Sequence, residues 1–101
     1  MHMRTLYTRT DLTVPGAGTL THLAQLEEIN QTQARMVRLI QVEAGTPTGT
    51  WENGTSRGVV TVPQTEVPHP DTYGEFEGLD AQALTAEQFE AAWSRVQSHL
   101  G

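Results

Sequence analysis

Hydrophobic positions along this chain change their period once. Over residues 3–62 they come in short, loosely alternating runs, and after Thr85 they recur at helical spacing. The helical part is the plainer of the two. Phe89, Ala92, Trp93, Val96 and Leu100 form one apolar stripe, and Thr85-Ala86-Glu87-Gln88 before it matches a capping box with Thr85 as N-cap and Gln88 at N3. Glu87 and Glu90 sit early, where acids favour the helix dipole. The spacing predicts a helix near 86–99 that docks on a sheet through Phe89 and Trp93.

The earlier part reads as strands and turns. Residues 3–14 are Thr-rich and alternate loosely as a strand, and Pro15-Gly16-Ala17-Gly18 breaks it. Leu20 to Val42 has a helical composition without a helical pattern. Leu26, Ile29, Met36 and Ile40 fall on one side of a helical wheel, while Leu20, Leu23, Ala24, Ala34 and Val42 fall on the opposite side. We read a β-hairpin, with strands near 21–29 and 34–43 joined by Asn30-Gln31-Thr32-Gln33. One long helix is the alternative. Thr50-Trp51-Glu52 then forms a short strand, and Asn53-Gly54 supplies a hairpin turn into a strand at Gly58–Val62 that Pro63 ends or places at an edge. Gln64 to Ala83 is irregular, with Pro68 and Pro70 holding His69 extended across the sheet.

The fold class expected is therefore α+β: a single domain over 1–101, with a mainly antiparallel sheet of four to five strands and one C-terminal amphipathic helix packed on it. The length of 101 residues suits one domain, and 37% hydrophobic residues suit a thin core.

Charge adds the main functional cue. Residues 1–45 balance Asp11, Glu27, Glu28 and Glu43 against Arg4, Arg9, Arg35 and Arg38, so the net charge of −6 resides in residues 46–101. Between Glu66 and Glu90 there are seven acids and no Lys or Arg. Such a segment disfavours nucleic acid, which needs cations for its phosphates, and would steer a basic protein partner. The candidate partner-binding residues are Glu66, Asp71, Glu75, Glu77 and Asp80, with Trp51 or Tyr73 as an aromatic anchor.

The second half resembles a family of small, uncharacterised bacterial immunity-like proteins. The residues that carry the likeness are Val62-Pro63, Val67-Pro68, Glu75-Phe76-Glu77 and the run Leu84 to Trp93 with its Glu87-Gln88-Phe89-Glu90 centre; Arg35 to Gly45 is similar to the family's central strand and turn. The sequence departs from the family in having Tyr7 where a tryptophan is usual and Ala44-Gly45 where Asp-Gly is usual. The resemblance implies a meander sheet with a closing helix, and toxin neutralisation by protein binding without catalysis. It supplies no catalytic residues.

Other chemistry is sparse. The chain has no cysteine, nucleophile elbow, P-loop or zinc spacing. His69 and Asp71, with Glu66 or Glu75 as further ligands, are the nearest approach to a metal set, and a locally hydrogen-bonded loop histidine explains them as well. Glu75 and Glu77 flank Phe76 as exposed acids beside an anchoring aromatic. No enzyme activity, cofactor or metal is expected. With no apolar run of membrane-spanning length and no leader-like N-terminus, neither a membrane association nor a compartment other than the cytoplasm is expected. The alternatives to a binding protein are a structural or assembly subunit, such as a phage or particle component, and a small ligand binder or enzyme, which would need a concave pocket with converging polar groups.

Overall fold

The ambiguous stretch from Leu20 to Val42 folds as the hairpin and not as the helix. A computed structural model describes residues 4–16, 18–60, 64–75 and 79–100. In it β2 (Gly18–Glu28) and β3 (Gln33–Glu43) run antiparallel. Their turn is closed by Asn30, whose Oδ1 accepts from the backbone N–H of Thr32 at 2.8 Å and of Gln33 at 2.9 Å. The register explains why the pattern looked neither helical nor alternating. Gln25 faces Arg38 but Leu26 faces Met36, so Val37 is an extra residue in a bulge. The bulge puts Met36 and Leu39, three apart, on one face. In sequence that spacing mimics a helix.

Around the hairpin the sheet grows on both sides. β1 (Thr5–Val14) pairs with β2, and β4 (Thr46–Glu52) pairs with β3. Ala44-Gly45 and Asn53-Gly54 make the two following turns with positive φ throughout, 50° and 83° at the first and 45° and 93° at the second. β5 (Thr55–Gly58) follows Asn53-Gly54 directly. The strand expected at Gly58–Val62 thus lies earlier. Gly58 ends β5 at φ 68°, paired with Gly49, and Val59 beyond it is 72% exposed. Pro63, expected to end that strand or place it at an edge, lies outside the described residues.

Among the described residues the sheet has seven strands, ordered β5-β4-β3-β2-β1 and then the seventh, with the sixth pairing β3 off this path. Four to five were expected. The two strands that sequence reading missed are β6 (Glu66–Pro68), which pairs with Gln33–Arg35 of β3, and β7 (Leu79–Ala83), which pairs with Thr8–Leu12 of β1. Both are short, pair on one side and expose most of their side chains, so neither needs an alternating apolar pattern. A 3-10 turn, Pro70–Glu75, lies between them.

The two faces of the sheet are covered differently. α1 (Ala86–Leu100) closes one face. Its capping box is formed: Gln88 N–H donates to Thr85 Oγ1 at 3.1 Å, and Thr85 N–H donates to Gln88 Oε1 at 2.9 Å. Phe89 and Val96 are buried with Ile40, and Tyr7, Leu23, Val42, Ala92, Trp93 and Leu100 pack around them. On the other face Ala24, Leu26, Ala34, Met36, Leu39 and Trp51 form a second core, with Leu6, Val60 and Val67 against it. There β6 and the 3-10 turn provide the cover. His69 fastens them: it is 1% exposed, its Nε2 lies 2.7 Å from Glu28 Oε2, and its N–H donates to Thr32 O at 3.0 Å. The local hydrogen bond expected of this histidine is instead a tie across 41 positions of sequence. Among the described residues, no helix is long and apolar enough to cross a membrane.

Candidate functional site

Cross-strand register assembles a charged band on the helix side of the sheet. Residues directly opposite one another in paired strands share a face. One row runs Glu27, Arg35, Glu66 across β2, β3 and β6, and a second runs Gln25, Arg38, Glu52 across β2, β3 and β4. Glu90 reaches the second row from α1, with Oε1 2.6 Å from Arg38 Nη2. β4 and β6 occupy successive parts of the same edge of β3. Glu52 and Glu66 are therefore neighbours, ~10 Å apart by strand rise along β3.

Arg38 is the fixed point of this band. Its guanidinium carbon lies 4.9 Å from the ring centroids of both Phe89 and Trp93, its Nε donates to Gln25 Oε1, and its side chain is 13% exposed. Two aromatic faces and a carboxylate hold the cation in one geometry. Arg35 is more open and pairs with Glu27 at 2.7 Å. Glu27 and Glu90 thus engage the two arginines. Glu52 and Glu66, both exposed, enter no ion pair among the described residues. Two carboxylates are left over on a preorganised frame.

The expected partner-binding residues do not stay together. Glu66 joins the band. Asp80 sits on β7 opposite Asp11, separated from β6 by β1, β2 and β3. Asp11 is itself satisfied: its carboxyl is held below the usual carboxylate range by the Thr21 hydroxyl, 2.5 Å from Oδ1, and by Arg9. Asp71 and Glu75 belong by backbone to the 3-10 turn, their side chains are not described, and Glu77 lies outside the described residues, as does Phe76. Trp51 is 6% exposed in the core away from the helix, packed there because it faces Leu39, so it is no surface anchor. Tyr73 is half-buried on that same side, and burial pushes its phenol above the ordinary value. Trp93, partly buried over Arg38, is the aromatic residue the band does contain.

Glu27, Glu52, Arg35 and Arg38 were the residues sequence reading did not group with the acidic segment. The signal that joins them is strand register, which no local pattern displays. Among the described residues, no set of three or more His, Cys, Asp or Glu side chains is placed to hold a metal ion. No family model, curated protein or solved structure matches the chain.

Proposed function

We propose that this is a non-enzymatic binding protein whose partner is a basic protein, received on the helix-side band of Glu27, Glu52, Glu66 and Glu90 around Arg35 and Arg38. Toxin neutralisation is the sharpest form of this function. The observation that carries it is the excess of two exposed carboxylates, Glu52 and Glu66, beside arginines already engaged by Glu90 and Glu27. A partner's Lys or Arg meets two uncompensated carboxylates there, beside arginines already held in place by Glu27 and Glu90. The net charge of −6 adds long-range steering.

The test uses nona-arginine as probe at low salt and two charge-matched double variants. Glu52→Lys with Glu66→Lys removes the band's excess. Glu43→Lys with Asp80→Lys changes net charge equally but lies elsewhere. The first double is expected to weaken binding ~10-fold or more and the second only ~2-fold, since close charges outweigh distant screened ones. Equal weakening by both doubles would mean that the probe senses net charge alone, and the band would lose its role.

A further inference from the structure

The sheet face opposite the charged band is not filled. Between it and the crossover formed by β6 and the 3-10 turn lies a cavity of about 310 Å³. Ala24, Met36 and Leu39 line its floor, Leu79 lines it from the edge strand β7, and Val67 and Tyr73 line it from the crossover. Thr8, Thr10 and His22 bring polar atoms into this apolar shell.

The sequence accounts for the space. Helical cover fails here because the chain from Glu66 to Glu75 is a three-residue strand followed by a 3-10 turn. Its anchor, His69, reaches Glu28 and not the floor. On the sheet side, short side chains stand where sealing would need long ones: Ala24 on β2, and Thr8 and Thr10 on β1.

Three polar positions in this wall stand ready for a ligand. Thr8 is 5% exposed, yet its hydroxyl has no hydrogen-bond partner among the described residues. The Thr10 hydroxyl has none there either. His22 Nε2 lies 3.2 Å from Gln41 Oε1. A carboxamide oxygen only accepts, so Nε2 carries the hydrogen, and in the neutral ring Nδ1 has the lone pair. Nδ1 has no partner among the described residues. These polar atoms stay open to the cavity, so a molecule that bonds them while covering the apolar wall is favoured.

We propose that this cavity is a binding site for a small, neutral, mainly apolar molecule carrying one hydroxyl or N–H group, which meets His22 Nδ1 and the Thr8 and Thr10 hydroxyls. Neutrality follows from the lining, which among the described residues holds no Lys, Arg, Asp or Glu to pair with a charged ligand. Size follows from volume. A dry cavity of about 150 Å³ takes one benzene ring, so about 310 Å³ suits a fused bicyclic molecule. The site lies on the face away from the basic-partner surface and stands or falls independently of it.

The probe is 2-naphthol, followed by its fluorescence and by amide NMR shifts of the intact protein. Saturable one-to-one binding below about 1 mM is expected. The shifts should fall together on Thr8, Thr10, His22 and Ala24 and on Val67, Tyr73 and Leu79. Naphthalene-2-sulfonate, the same rings with a charge, should bind at least ~10-fold more weakly. Thr10→Phe, which grows from the wall into the space, should weaken 2-naphthol binding ~10-fold or more with an unchanged circular dichroism spectrum. If that variant does not fold, Ala24→Leu fills the cavity from the floor and carries the same expectation. The proposal is overturned if wild-type protein shows no saturable binding, if shifts fall on helix-side residues, or if a folded filling variant binds as tightly as wild type.

Discussion

One sheet carries two unlike faces. On the helix side, a capped α-helix presents an unbroken apolar stripe, and Phe89, Ile40 and Val96 are all but sealed from water. Tyr7 and Trp93 flank the Phe89 ring at 5.4 Å and 6.1 Å between centroids. On the other side, a proline-flanked crossover spans the sheet with one buried histidine as its fastener and leaves about 310 Å³ open. Regular secondary structure supplies side chains at the spacing a flat apolar surface needs. An irregular crossover supplies them only where it happens to touch. The closed face can therefore carry a rigid charged rim, and the open face can carry a ligand.

The largest expected effect tests the seal. Phe89→Ala should destabilise the fold by about 3–5 kcal/mol in urea unfolding, because its neighbours from sheet and helix cannot collapse into the space. It also removes one of the two rings that hold Arg38. A cost below about 1 kcal/mol would show that the helix face is loosely packed.

Adding volume separates the faces more sharply. Ile40→Phe, on the closed side, should cost about 1–3 kcal/mol through overpacking. Thr10→Phe, on the open side, should cost less than about 0.5 kcal/mol or stabilise, since it occupies existing space. Equal costs in the two variants would remove the distinction between the faces. A smaller loss, about 1 kcal/mol, is expected for Thr85→Ala, which deletes the cap of the covering helix.

The smallest effect comes from pH at the fastener of the open face. Arg4, at 2.6 Å, and then His69 hold the Glu28 carboxyl at about 2, below its ordinary 4.5. The unfolded chain therefore takes up this proton at higher pH than the folded one. The stabilisation is complete above about pH 4.5 and is lost as pH falls toward about 2. Urea midpoints measured down this range should fall, and Glu28→Gln should flatten the dependence. An unchanged slope in that variant would show that the ion pair contributes nothing, as exposed pairs often do.

Legibility in the sequence followed the same division. The closing helix was readable from Thr85, Gln88 and the stripe, because capping and periodicity are local. The hairpin at 21–29 and 34–43 was readable only by the failure of a helical pattern, and the Val37 bulge is why. β6 and β7 were hidden, since exposed edge strands carry no alternation. At the candidate site, Glu66 was named from the acidic run, but its companions Glu27 and Glu52 were not. Their meeting at Arg35 and Arg38 is decided by register between distant segments.

The most direct test of this two-faced account is one amide NMR titration series on a single sample, with nona-arginine and 2-naphthol added in turn. The peptide should move Glu27, Arg35, Arg38, Glu52 and Glu66, and 2-naphthol should move Thr10, His22, Ala24 and Leu79, with little overlap. Shifts of the same amides by both probes, or a peptide response spread evenly over the surface, would contradict it.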